Sequence, residues 1–384
     1  MPTAVHHLSI DIETYSDVDI KKAGLYRYAQ SPAFSILLFA YSLDFGPVQV
    51  IDLAQGEQLP PECMARLFDT NTIKHAYNAP FEWYCLSRHF RLWDVPNYPP
   101  EKWLPQWRCT MLHGLYCGCP AGLDAVGKAL GLAEEQQKLS TGKALIRYFC
   151  TPCAPTKTNG RRTRNLPHHD PAKWELFKTY NARDVVTEME VERRMSAFPV
   201  PDAVQAQWVT DQIINCRGVA VDMDLMDGAL ELDAAARTEY LREAAALSGL
   251  ENPNSVGKLT KWLQAELKEE DIPNLNKATV TELLGKDLPS EDARRMLELR
   301  QELGKTSNKK YNALETAVCA DGRVRGLLQF YGAARTGRWA GRIVQPQNLP
   351  RTYIRSELLP LARELVEDRQ MDALKVVFGS VPDT

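Results

Sequence analysis

The sequence predicts an α/β layer structure in its first half and a mainly helical second half. Three observations carry that expectation. An alternating apolar run opens the chain, strands and helices then follow one another in turn, and near residue 200 the pattern changes to long helical periodicity. At 384 residues and 44% hydrophobic content the chain can bury a full core, and it is long enough for two or three domains. No apolar run reaches the length of a bilayer span, and no basic flank with a long apolar region opens the chain, so a cytoplasmic protein without membrane contact is expected. Nine cysteines, several isolated in apolar stretches (Cys63, Cys85, Cys216, Cys319), fit reduced thiols better than a disulfide framework. The net charge of −3 argues against a generally basic, histone-like binder, yet leaves open a nucleic-acid partner met by a local cluster of positive charge.

The opening strand holds Val5, Leu8, Ile10 and Ile12, and along an extended segment Asp11 and Glu13 point the same way. Two carboxylates side by side repel and lose hydration, so they persist mainly around a cation, and oxygen-only ligands suit magnesium or manganese. The alternative is a strand ending in a solvated acidic turn. Phe34 to Tyr41 and Val48 to Ile51 read as further strands around the Phe45-Gly46-Pro47 turn. A helix from Pro61 to Phe68, a strand from Thr72 to Tyr77 and a helix opened by Pro80 come next. Glu82 falls in the first turn of that helix, a position where a carboxylate is favoured by the helix dipole.

Cys109 to Phe149 predicts short helices broken at Gly118, Gly122 and Gly131, and Thr151 to Asp170 a surface loop with a basic cluster at Lys157, Arg161, Arg162 and Arg164. Cys150 and Cys153 with His168 and His169 match known zinc spacings poorly, so zinc is the disfavoured assignment. Asp170-Pro171 caps and opens a long helix on which Phe177, Tyr180, Asp184 and Val191 share one stripe. There Tyr180 reads either as a core aromatic or as a site residue, and Asp184 either as a boundary acid or as a ligand. Past Phe198-Pro199-Val200-Pro201, helices are expected at Gln205–Cys216, Leu225–Leu247, Val256–Leu267, Thr279–Leu284 and Glu291–Leu314.

Taken together, DIET at Asp11 to Thr14, NAPFE at Asn78 to Glu82 and YNARD at Tyr180 to Asp184 resemble, in order and separation, the three motifs of the DnaQ-like 3′-5′ exonucleases. With Thr179 where the histidine subclass carries its histidine, the tyrosine subclass is the better match. Further on, Gly218-Val219-Ala220-Val221-Asp222, Asn252-Pro253-Asn254-Ser255 and Lys305 to Tyr311 are similar to family A DNA polymerases, the last two to their thumb. The stretch Gly322 to Pro350 resembles their primer-template-binding segment. The resemblance covers nearly the whole chain and is to phage and prophage members of the family.

It implies a ribonuclease H-like exonuclease domain (1–200), followed by a thumb and the start of a palm (201–384). Two Mg2+ or Mn2+ ions would be held by Asp11, Glu13, Glu82 and Asp184, with Tyr180 orienting the attacking water. The partner implied is DNA, a primer-template or a single-stranded 3′ end, met by Asn78, Lys305, Lys309, Arg335, Thr336, Arg338, Gln347 and Asn348; protein partners are left open. Family members usually have Asp where this chain has Glu82, and small hydroxyl residues where it has Trp339-Ala340-Gly341. Nothing after Pro350 matches the polymerase catalytic motifs, so a truncated polymerase that does not extend DNA is expected, whose exonuclease would proofread in a full-length parent. An exposed apolar edge around Leu374, Val376, Val377 and Phe378 would then favour self-association. Two rival readings remain, a DNA-binding remnant without catalysis and an RNA-trimming enzyme of the same superfamily.

Overall fold

The structure is a computed structural model that describes residues 5–92, 100–133, 141–268, 271–305, 309–333, 336–349 and 354–379. It divides into two compact units. Met1–Ala220 with Ala317–Gln347 forms the first, and Val221–Thr316 with Asn348–Thr384 the second.

The first unit is built on β1 (His6–Tyr15), the middle strand of a five-stranded sheet. β2 (Ser35–Leu43) pairs antiparallel with β1, and β3 (Gln49–Asp52) antiparallel with β2. On the other side β4 (Thr72–Ala76) and β5 (Trp107–Cys109) run parallel to β1. The alternation of β1 separates its two faces. Leu8, Ile10 and Ile12 pack with Phe39, Tyr41, Trp83 and Trp208. On the opposite face Tyr15 and Leu38 pack with Phe149, Trp174, Phe177 and Tyr180. The sheet is therefore covered by helices on both faces, as parallel pairing requires.

One cover includes α3 (Ala79–His89) and α8 (Asp202–Arg217), and the other α6 (Gly142–Phe149) and α7 (Pro171–Met195). Asp170 caps α7 as its sequence predicts, its side chain accepting from Lys173 N at 3.1 Å with Pro171 at the first position. α2 (Pro61–Phe68) spans the expected residues, and α4 (Thr110–Tyr116) and α5 (Leu123–Ala129) are the short helices expected around Gly118 and Gly122. The helix α1 (Ile20–Ala29) has no counterpart in the sequence reading. Its apolar residues follow no single stripe, and Gly24 interrupts it at φ +78°, a conformation that L side chains rarely adopt. β6 (Val219–Ala220) ends the first segment of the first unit, and α9 (Met223–Ser248), capped by Asp222, opens the second unit.

The second unit is helical: α10 (Val256–Leu267), α11 (Lys277–Leu284), α12 (Glu291–Leu303) and α13 (Lys309–Ala317) follow α9. Leu259, Leu263, Val280, Met296 and Leu297 form its core. The single helix expected over Glu291–Leu314 is two elements, because α12 stops at Gly304, a weak helix former whose N–H closes the last turn on Arg300 O. At the C-terminal end lie α14 (Leu359–Glu367) and α15 (Met371–Phe378). Leu374 is not part of an exposed edge; it is buried against Leu232 and Ala236, while Val376 and Val377 are exposed. β7 (Arg323–Val324), paired with β6, and the hairpin of β8 (Leu328–Ala333) with β9 (Arg338–Gly341) belong to the first unit.

Candidate metal centre

The alternation of β1 and the turn of α7 bring three carboxylates together. Asp11 and Glu13 project from one face of β1, opposite Ala40 and Leu38 of β2, and a register shift follows directly after Glu13. Asp184 comes down on them from the buried stripe of α7. One oxygen from each of Asp11, Glu13 and Asp184 lies within 4.8 Å of the others. Glu13 and Asp184 are buried, whereas Asp11 is partly open. Three carboxylate oxygens this close repel unless positive charge sits among them, and hard oxygen donors fit a divalent cation of the magnesium or manganese type. The trio can hold a metal ion.

Tyr180, one turn before Asp184, is buried at 1% exposure. Burial first, then the negative field of Asp184, Glu13 and Asp11, pushes its phenol far above the ordinary range, so the hydroxyl stays protonated and hydrogen-bonded to Asp184. Glu82 is buried in the first turn of α3, and its Oε2 has no hydrogen-bond partner among the described residues. Burial and the neighbouring Asp11 hold its carboxyl well above the usual carboxylate range. A buried carboxyl oxygen with no hydrogen-bond partner among the described residues, beside three further carboxylates, makes an all-oxygen donor set that fits a hard divalent cation.

Two residues join the site that the sequence did not single out for it. Asn181, fully buried between Tyr180 and Asp184 in the chain, donates from Nδ2 to Asp11 O at 3.1 Å and Asp11 Oδ2 at 2.6 Å, fixing that carboxylate. The asparagine of the YNARD motif carried no periodic signal of this, because its partner is 170 residues away. Cys150 points its thiol at Glu13 Oε2 at 3.7 Å, and burial with the Glu13 charge keeps it protonated. Cys153 bonds instead to Arg162 O, and His169 accepts from Leu166 N. Of the basic cluster, Arg164 lies over the Tyr15 ring and donates to Ser35 Oγ, and Arg162 donates to Asn165 Oδ1. One turn past Asp184, Glu188 accepts from Thr110, and burial pushes its carboxyl up to about 8.

The remaining sequence-selected residues are spread over both units. Asn78 is exposed at the N-cap of α3 without a side-chain cap bond. Thr336 and Arg338 are exposed at the turn of the β8–β9 hairpin, and Arg335 lies outside the described residues. Gln347, in the first unit, covers Gly341: a Cβ on Gly341 would fall 2.6 Å from Gln347 Cδ. Lys305, Lys309 and Asn348 belong to the second unit, where Lys305 pairs with Glu302 at 2.8 Å. Among the described residues no helix is long and apolar enough to cross a membrane.

No family model matches the chain. It is 50% identical over 375 residues to a DNA polymerase of Bacillus phage SP02, an alignment covering 98% of this chain and 56% of the phage protein. Among solved structures it resembles the POL domain of Pol1 from M. smegmatis in complex with DNA primer-template and dNTP. The TM-score is 0.50 at 15% identity, over 95% of this chain and 54% of that one. The chain thus spans a little over half the length of the proteins it matches. With half of its residues shared across almost its whole length, it is a relative of a phage DNA polymerase, and the polymerase resemblance read from its motifs stands.

Proposed function

We propose that the chain carries a metal-dependent 3′-5′ exonuclease acting on DNA, a proofreading activity beside a polymerase. The observation that carries this reading is the convergence of Asp11, Glu13 and Asp184 within 4.8 Å beneath a protonated, buried Tyr180. The sheet order β3-β2-β1-β4-β5, with β2 antiparallel to the central strand, supports a ribonuclease H-like domain over 1–200. Residues 201–384 are then the thumb and the start of the palm. The DNA polymerase relative, and the primer-template with which the structural neighbour forms its complex, support DNA as the partner.

Asp11, Glu13 and Asp184 would hold one ion, and Asp11 with Glu82 the second. Bound there, magnesium or manganese supplies water of lowered pKa and neutralises the charge that builds on the phosphate. Asn181 keeps the Asp11 carboxylate turned toward the cluster. Tyr180 keeps its proton at any physiological pH; with that proton directed to Asp184, its oxygen would accept a hydrogen bond from the attacking water and orient it without the tyrosine becoming a base. No side chain needs to form a covalent intermediate. Exposed Asn78, and the exposed Thr336, Arg338 and Gln347, would hold the nucleic acid. Arg335, Lys305, Lys309 and Asn348 extend that set, in the cytoplasm of an infected cell.

Incubating the purified chain with a 5′-labelled strand tests this reading. A ladder shortening from the 3′ end, with nucleoside monophosphates released and a chelator abolishing both, is expected. Binding without shortening would favour the rival reading that the longer Glu82 side chain motivates, a DNA-binding remnant without catalysis. Equal or faster shortening of an RNA strand would favour RNA trimming.

A further inference from the structure

The β8–β9 hairpin ends in Thr336 and Arg338, and what holds it is a carboxylate that the proposed chemistry does not use. Asp211 on α8 is buried at 1% exposure. A buried carboxylate is costly unless its oxygens are fully engaged, and those of Asp211 are. Oδ1 accepts from Trp339 Nε1 of β9 at 2.8 Å. Oδ2 accepts from Gln212 Nε2 at 2.9 Å, from Asn215 Nδ2 at 3.2 Å and from Phe330 N of β8 at 3.4 Å. One turn further on, Asn215 pairs with β8 as a neighbouring strand would, accepting from Leu328 N at 2.9 Å and donating to Leu328 O at 3.0 Å. One helix face thus grips both strands of the hairpin.

Within the hairpin the packing leaves little play. The Phe330 and Trp339 ring centroids are 4.9 Å apart. Gly337 turns at φ +64° against the Tyr331 ring, where a Cβ would fall 2.9 Å from Cζ, and Tyr331 itself adopts φ +54°. A tyrosine held in the left-handed region is strained, and it persists only where its surroundings fix it. Trp339 is half exposed, yet its one donor, the indole N–H, is taken by Asp211 and is not offered to a ligand.

We propose that the Asp211–Trp339 bond is a positioning latch that sets the hairpin turn, so that Thr336 and Arg338 meet the phosphate backbone of primer-template DNA, and that Trp339 is not itself a DNA contact. The inference rests on the reading of this hairpin as a DNA-binding element. It also accounts for a tryptophan where the resembled family carries a smaller residue: with a donor long enough to reach α8, the chain fixes by side chain what a small residue there could not.

The test is a double-mutant cycle read as affinity for fluorescent primer-template, with chelator present so that the strand stays intact, over a series of salt concentrations. Trp339→Phe keeps the ring and deletes the donor. It is expected to weaken binding roughly tenfold, the value of one hydrogen bond to a charged group in selecting the competent arrangement. Arg338→Ala is expected to weaken binding of the parent and to reduce the salt slope by about one. In the Trp339→Phe background, Arg338→Ala is expected to cost less than twofold, because the turn is already mis-set. A melting curve on each variant separates this from loss of fold. Asp211→Asn, which weakens the same bond from the helix side, is expected to reproduce the lost coupling. Additive costs, or Trp339→Phe binding as tightly as the parent, would overturn the latch alone. Arg338→Ala binding as tightly as the parent, with an unchanged slope, would remove the DNA-binding reading and the latch with it.

Discussion

Gly142, the first residue of α6, is buried against the ring of Tyr180, and this contact makes the tyrosine's placement testable without touching its hydroxyl. A Cβ at position 142 would lie 2.5 Å from Tyr180 Cζ and 2.7 Å from Cδ2, and closer still to Cε2. Ordinary carbon–carbon contact is about 3.5–4.0 Å, so relieving the nearest contact, to Cε2, forces a relative movement of roughly 1.5–2 Å in Gly142→Ala. The ring has little room to yield, because Tyr180 is almost fully buried and stacks on Phe177 with centroids 6.1 Å apart and planes 11° from parallel. Overpacking of this kind costs about 1–3 kcal/mol of stability. A 1 Å displacement of a positioning group costs about 10²-fold in rate. Steady-state exonuclease rates on a single-stranded 3′ end, with a thermal melt of the same preparation, are the assay. Gly142→Ala is expected to stay folded and lose about two orders of magnitude in rate, approaching Tyr180→Phe. A rate within twofold of the parent would refute the assignment of Tyr180 as the group that orients water.

Asn181→Ala leaves the Asp11 carboxylate without its 2.6 Å donor and is expected to weaken manganese binding about 10–100-fold by calorimetry, the usual effect of removing a ligand's partner. Unchanged affinity would show that Asn181 serves the fold alone. Glu82→Asp shortens the side chain in the first turn of α3 and is expected to raise the magnesium-supported rate relative to the manganese-supported one; an unchanged ratio would dismiss any role for the extra methylene. Glu188 titrates near 8 in the folded chain against about 4.5 unfolded, chiefly through burial. The folded state therefore holds the extra proton between those values, and stability falls as pH rises through that window. Glu188→Gln is expected to melt close to the parent at pH 5 and clearly above it at pH 8; parallel melting curves at the two pH values would contradict the raised pKa.

What the sequence made legible follows from interactions that are local or periodic. Asp11 and Glu13 share a face because side chains alternate along a strand, and Asp184 falls below Tyr180 because a helix repeats every 3.6 residues. Pro61 and Asp170-Pro171 marked helix starts because a proline at the first turn and an aspartate cap act within four residues. β5, three residues long, is too short to show alternation, and its Cys109 read as the start of a helical stretch. α1 was missed for want of an apolar stripe, and the break after α12 because the expected helix was carried from Glu291 to Leu314 across Gly304 and the polar run Lys305 to Lys310. The bonds that set the site are of another kind. Asn181 to Asp11 spans 170 residues and Asp211 to Trp339 spans 128, and neither spacing leaves a mark in a single sequence. The basic loop shows the converse: Arg164 reads as surface charge, but the fold lays it over Tyr15.

In the proposed function Asp11, Glu13 and Asp184 bind the ions that cut DNA from its 3′ end, and Asp11 is the residue common to both proposed ion positions. The most direct measurement is the shortening of a 5′-labelled primer-template by the parent and by Asp11→Ala at equal concentration, with magnesium, manganese or chelator, after both are shown to bind the duplex. Metal-dependent loss of 3′ nucleotides by the parent, reduced at least a thousandfold in Asp11→Ala while DNA binding persists, is the predicted result; it corresponds to about 4 kcal/mol of transition-state stabilisation. Equal shortening by parent and variant, or shortening by the parent that survives the chelator, would contradict the account.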